Sequence, residues 1–136
     1  MMAISLRSPW WWFILHAGKN IENRDWSTRY RGPVLIHVSK WFNPDDVRDD
    51  FRYAKGCVRP QGRDLPTVTL SDIRAMGGML VGTCRIVDCI DRADPRSQSP
   101  WFQGRYGFVL EDPKPLPQPI PWKGERGLFK VDGINV

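Results

Sequence analysis

Paired cysteines are missing from this chain. It has three, Cys57, Cys84 and Cys89, an odd set with neither the spacing of a zinc site nor the even count of a disulfide framework. Cys84 and Cys89 stand an odd number of positions apart on a stretch that reads as a strand, so their side chains leave on opposite faces and do not readily share a metal. The thiols read as small buried apolar groups in a reducing compartment, and neither a structural metal nor a cofactor is expected. Long apolar runs are missing as well. The most apolar stretch, Trp10 to Ala17, falls far short of the ~20 residues that cross a bilayer, and it begins too soon after Met1 for a secretory signal with a basic leader. The expected location is cytoplasmic, with no membrane partner. Histidine is scarce: His16 falls on an apolar helical run and His37 inside an apolar strand, which suits internal hydrogen-bonded histidines better than catalysts.

What is present is a globular composition with a lopsided charge. Hydrophobic residues make up 41% and charged residues 26% of 136 residues, enough to bury one core and too few for two, so residues 1–136 read as a single domain. Through residue 63, eleven Lys/Arg face six Asp/Glu (11 − 6 = +5); from residue 64 onward nine face nine. The net charge of +5 therefore belongs to the first half, a bias that suits a polyanion such as nucleic acid.

Local signals outline the elements. Ala3 to Leu6 reads as a strand, and Ser8-Pro9 as an N-cap with proline at the first helical position, opening a helix to Ala17 that Gly18 ends. A charged segment from Lys19 leads to a turn at Arg31-Gly32-Pro33 and an apolar strand, Val34 to Val38. Asn43-Pro44-Asp45-Asp46 opens a second helix that ends near Lys55-Gly56. Residues 56–70 read as a surface loop, Thr69 to Met76 as a short helix closed by Gly77-Gly78, and Met79 to Ile90 as a long strand. Tyr106 to Leu110 and Gly127 to Val131 supply the last strands, separated by a proline-interrupted connection, Asp112 to Pro121, read as an extended barrel edge. Short strands interspersed with two or three short helices fit a small closed α+β barrel better than a doubly wound sheet.

The chemistry concentrates in Lys19-Asn20-Ile21-Glu22-Asn23-Arg24. In an extended segment Glu22 and Arg24 point to one face and Ile21 to the other, so the charges face a groove while the isoleucine anchors the backbone. Two bases around one acid can grip a phosphate or a base edge, since Arg presents a rigid fork of donors and the carboxylate accepts from amino groups. The plain alternative is a structural Glu22–Arg24 ion pair with Lys19 solvated. Trp26 and Arg29 follow at once, and Ser39, Lys40 and Trp41 close the next strand. Aromatics interleaved with bases and hydroxyls are what stacking an unpaired nucleobase and holding its phosphate require, although Trp26 and Trp41 also suit a core.

The ordered set Ile4-Ser5-Leu6-Arg7-Ser8-Pro9-Trp10, Gly18-Lys19-Asn20-Ile21-Glu22-Asn23-Arg24 with Trp26, Arg29-Tyr30-Arg31-Gly32-Pro33 and Ile36-His37-Val38-Ser39-Lys40 resembles an ASCH domain (activating-signal-cointegrator homology). Ser99-Pro100-Trp101-Phe102, Tyr106-Gly107-Phe108-Val109-Leu110 and Gly127-Leu128-Phe129 agree with it. The resemblance implies an α+β, PUA-like β-barrel whose cleft, lined by the Lys-x-x-Glu-x-Arg segment, takes RNA or single-stranded nucleic acid, in some cases a modified nucleotide. The candidate contacts are Lys19, Glu22, Arg24, Trp26, Arg29, Ser39, Lys40, Trp41, Trp101 and Tyr106. Some ASCH-like proteins are instead amidohydrolases acting on N4-acetylcytidine through a Lys, a Thr and a Glu. Here Lys19 matches the lysine, but Glu22 stands where the threonine would be, which removes the hydroxyl. A metal-independent ribonuclease would resemble use of Lys19 or Lys40 with a hydroxyl such as Ser39. A lysine base needs its pKa lowered from ~10.4 toward ~7–8, and Glu22 beside Lys19 is expected to raise it. Binding therefore ranks above catalysis.

Overall fold

The computed structural model describes residues 1–136. Six strands form one curled sheet: β1 (Met2–Leu6), β2 (Ile21–Arg24), β3 (Gly32–Val38), β4 (Met79–Ile90), β5 (Tyr106–Pro121) and β6 (Leu128–Lys130), in the spatial order β2-β5-β4-β3-β1-β6. β1 and β3 run parallel, and the other neighbouring pairs are antiparallel. Three helices, α1 (Trp10–His16), α2 (Pro44–Val58) and α3 (Leu70–Ala75), accompany the sheet. The architecture is the α+β, PUA-like one expected, except in its closure. β2 and β6 end the sheet without pairing to each other, so the curl is a half-barrel.

The core fills both faces of the curl. Ile4, Leu6, Val34, Ile36, Cys84, Ile86 and Phe108 pack with Trp11 and Ile14 of α1 on the inside. Phe13, Ala17, Ile21 and Trp101 join Ala54, Cys57 and Val58 of α2 in a second cluster, which clamps α1 between sheet and helix. Burying Phe13 and Trp101, both at most 2% exposed, is worth a few kcal/mol each on the transfer scale of ~25 cal/mol per Å². An all-round apolar helix is stable only when covered in this way.

The helix ends differ in detail from the sequence reading. Ser8 does not cap α1: Pro9 occupies the N-cap position with no side-chain hydrogen bond, and the Ser8 hydroxyl accepts from Trp11 Nε1 at 3.0 Å instead. Gly18, at φ +75°, does end the helix and lets the Lys19 N–H return to the Phe13 carbonyl at 3.1 Å. Asn43 caps α2 by accepting from the Asp46 N–H, and Thr69 caps α3 by accepting from Asp72. α2 runs past Gly56 to Val58 because Cys57 and Val58, each 2% exposed, gain more by burial than the ~1 kcal/mol that a mid-helix glycine costs.

The proline-interrupted segment Asp112 to Pro121, read as an extended barrel edge, is strand. β5 continues along β4 as far as Pro121, with interruptions in the register. Its five prolines fall at alternate positions, 113 through 121, so in an extended chain their missing N–H groups all lie on one side. The other side still donates to β4's end, as Trp122 N–H to Gly78 O at 3.0 Å illustrates. Asp112, at φ +58°, marks the bulge where the direction of the amides switches.

Candidate nucleic-acid interface

Two connected grooves open at one end of the half-barrel. One, about 1000 Å³, is lined by Ser5, His37, Ser39, Lys40, Gly78 and the stretch from Trp122 to Arg126. The other, about 840 Å³, is lined by Arg7, Trp10, Glu22, Arg24 and Trp26, and again by Ser5, Ser39, Glu125 and Arg126. The four shared residues make the two a single trough, bordered by the ends of β1, β2 and β3 and by the loop between β5 and β6.

β2 is extended as its alternation implies. Ile21, 2% exposed, enters the α1–α2 cluster, while the Glu22 and Arg24 side chains, 12% and 21% exposed, meet with Oε2 and Nε 3.2 Å apart. That contact is a charge contact, off-line for a hydrogen bond. The Arg24 Nη2 donates to the Ser5 carbonyl at 2.9 Å. Glu22 also faces inward: burial first, and then the Glu22 charge, push the Cys84 thiol up to about 12.

Lys19 is not in the trough. It is 3% exposed, donates to the Ile21 carbonyl at 2.5 Å, and lies 5.2 Å from the Trp10 ring centroid and 5.4 Å from that of Trp101. Burial lowers its pKa, and although Glu22 pulls upward as expected, with Cys57 doing the same, the two only partly offset the burial. Its proton is nonetheless engaged with a backbone carbonyl beneath two indoles. Trp101, 2% exposed, is a core residue next to Phe13, and its carbonyl accepts from Asn23 Nδ2.

The remaining candidates divide. Trp26 lines the trough and rests edge-on against Phe108. Ser39 and Lys40 line it from the end of β3, with the Lys40 stem folded over Gly78, where a Cβ would come within 2.9 Å of the lysine Cε. Trp41 is 44% exposed, with the Arg7 guanidinium 4.9 Å from its ring centroid. Arg29 is exposed and lines neither groove. Tyr106 pairs with Arg24 across β2 and β5, with the Arg105 guanidinium over its ring. Lys19, Arg29, Trp101 and Tyr106 are thus not brought together with Glu22, Arg24, Trp26, Ser39 and Lys40 on the trough wall.

Sequence reasoning missed Ser5, His37, Trp122 and the loop Lys123–Gly127. His37 does have both ring nitrogens partnered, Nδ1 with Ser5 Oγ at 2.9 Å and Nε2 with the Trp122 carbonyl at 2.7 Å, yet it also lines the larger groove. The one available signal was the charged, glycine-flanked run Lys123-Gly124-Glu125-Arg126-Gly127 ahead of a strand, a loop composition of the kind that carries function. No three His, Cys, Asp or Glu side chains converge as a metal-binding set, and no helix is long and apolar enough to cross a membrane.

A family model for the ASCH domain matches residues 4–117. Among characterised proteins the chain is similar to activating signal cointegrator 1 of Mus musculus and of Homo sapiens, 23% identical to each over 137 aligned positions. The alignment covers 95% of this chain but 22% of either relative, so the chain spans about a fifth of the length of those proteins.

Proposed function

The chain belongs to the ASCH domain family, and from that premise we propose that it is a nucleic-acid-binding module whose trough holds a short single strand of RNA or DNA. The observation that carries the reading is the lining of that trough: cations Arg7, Lys40, Lys123 and Arg126 alternate around the indoles of Trp10, Trp26 and Trp122. Cations along a groove neutralise phosphates without regard to sequence, and indole faces stack on any base, so together they suit an unpaired strand rather than a duplex.

Roles follow from position. Lys40 and Arg126 hold phosphates, Trp26 presents its indole to a base, and Trp41 with Arg7 extends the platform at the rim. Glu22, fixed against Arg24, accepts from an exocyclic amino group of a base that enters the inner end. Lys19 acts from below by supporting Trp10. A lysine-based hydrolase is less well served, because the Lys19 ammonium is covered and bonded to Ile21.

The test is titration of fluorescein-labelled single-stranded RNA and DNA at several salt concentrations. Saturable binding is expected, with log K falling against log salt by roughly 0.7 per phosphate neutralised and a shallower slope for Lys40→Ala/Arg126→Ala. Absence of saturable binding at low salt, or equal affinity and slope in the double variant, overturns the reading.

A further inference from the structure

Ser5 and His37 are direct register partners in the parallel β1–β3 pair, and their side chains meet inside the larger groove with Oγ 2.9 Å from Nδ1. The far side of the ring fixes its tautomer. Nε2 lies 2.7 Å from the Trp122 carbonyl, which has no proton to give, so Nε2 carries the hydrogen and Nδ1 presents its lone pair to the Ser5 hydroxyl. The orienting carbonyl is itself held. Trp122 N–H donates to Gly78 O at 3.0 Å, and Gly78 N–H donates to Val38 O at 2.8 Å, next in sequence to His37.

The β5–β6 loop completes the arrangement. A Cβ on Gly124 would stand 2.6 Å from His37 Cε1 and 3.3 Å from Ser5 Oγ, so the backbone passes against the pair as only glycine allows. Residues 123–127 donate no backbone-to-backbone hydrogen bond, so the amides of this loop are not committed to the sheet.

We propose that Ser5 is a nucleophile and His37 its general base, and that the pair hydrolyses carboxylic esters borne by a phosphate-carrying alcohol, such as an O-acylated nucleotide. Ser5 Oγ forms a bond to the ester carbonyl carbon as its proton passes to His37 Nδ1. The tetrahedral intermediate collapses, the carbon–alkoxy bond breaks, and the departing alcohol takes the proton from Nδ1. Water then attacks acyl-Ser5 with His37 again as base, releasing the carboxylic acid and restoring the hydroxyl. With a neutral carbonyl instead of a carboxylate behind the ring, the imidazolium gains less support, which suits an ester and its better leaving group more than an amide. Burial lowers the His37 pKa, with the Trp122 carbonyl opposing. Lys40, Lys123 and Arg126 on the same walls outnumber Glu125, so the ring is a neutral base at pH 7. Those cations select the phosphate. That selection rests on the nucleic-acid reading above, whereas the nucleophile and base do not.

The full chain is treated with a fluorophosphonate probe and its modified peptide located by mass spectrometry; 4-nitrophenyl acetate and 3′-O-acetyladenosine with and without a 5′-phosphate are then assayed for hydrolysis. Expected are phosphonylation at Ser5, turnover that favours the phosphorylated nucleoside ester, no turnover by Ser5→Ala, and a rate about 100-fold or more lower for His37→Gln. Because burial holds the His37 ring below its ordinary pKa, the wild-type rate falls only under more acidic conditions than an ordinary imidazole would impose. Wild-type protein that takes up no probe at Ser5 and cleaves no ester above buffer overturns the catalytic pair, with no mutant folding to confuse the result. Equal cleavage of the two adenosine esters overturns the substrate class. Strand binding in the same preparation is read separately by the salt titration, so loss of one reading does not imply loss of the other.

Discussion

Arg24 donates from Nη2 to the carbonyl of Ser5 at 2.9 Å, joining β2 to β1, strands that are not neighbours in the sheet. A single guanidinium thus spans the open side of the half-barrel, held from behind by Glu22. Arg24→Ala is expected to lower stability by about 1.5–3 kcal/mol, the range for a hydrogen bond to a charged group, in urea denaturation. Arg24→Lys recovers little, since an ammonium lacks the fork that serves Ser5 and Glu22 together. In a double-mutant cycle with Glu22→Gln the two effects are non-additive.

Lys19→Met keeps the apolar stem and deletes the donor to Ile21. It is expected to cost about 1–3 kcal/mol for the carbonyl left without its partner, and Lys19→Ala costs more because a cavity opens as well. Single-strand affinity stays unchanged in the Met variant, as measured by the same titration. Because the folded Lys19 pKa lies below its ordinary value, the unfolded chain holds the proton more tightly. Wild-type stability therefore gains from Lys19 as pH rises toward ~10.5, and the Met variant lacks that gain.

Acidification destabilises the fold through its histidines. His16 and His37 both have pKa values lowered by burial; His16 also lies against Trp12, ring centroids 4.0 Å apart. Below the unfolded value of about 6.5 the unfolded chain takes up protons that the folded chain refuses, so stability is full above that pH and declines as pH falls toward the folded values. Thermal melts from pH 7.5 to 5 read this decline, which is shallower in His16→Gln.

Trp41→Ala separates binding from folding. The ring is exposed and capped by Arg7, so its loss is expected to weaken single-strand affinity by about 1–3 kcal/mol, the worth of one stacked base. The urea midpoint moves little, within the ~0.5 kcal/mol typical of surface changes.

Gly82→Ala tests the contact of α1 with the sheet. A Cβ there would sit 2.7 Å from Leu15 Cδ2 and 2.8 Å from the Lys114 backbone carbonyl. The side chain can rotate away, but the backbone of a paired strand cannot, so the expected cost is about 1–3 kcal/mol of overpacking in a denaturation curve with unchanged m-value.

The elements that could be read from sequence are those set by local chemistry. Asn43 and Thr69 announce helix starts because their side chains bond the backbone a turn ahead, and Gly18 announces an end because φ is positive there. Period-two alternation sorts Ile21 from Glu22 and Arg24, since a strand sends them to opposite faces. The misreadings have a common origin in long-range contacts. Ser8 looks like a cap until Trp11 claims its hydroxyl. Lys19 looks solvated, or charged by Glu22, until two indoles from α1 and the β4–β5 loop close over it. Ser5, His37 and Trp122 lie far apart along the chain and share no local pattern, so only the β1–β3 register and the tie from Gly78 to Trp122 bring them together.

The alternating prolines of β5 have a consequence for how this chain meets its own copies. Beyond Leu110 no strand covers the outer side of β5, and a strand of that length with a bare side is an invitation to intermolecular pairing. Every second residue from Pro113 to Pro121 carries no amide hydrogen to donate, so an incoming strand would find far fewer donors there than a regular edge offers. The half-barrel can remain open without recruiting a neighbour to finish its sheet.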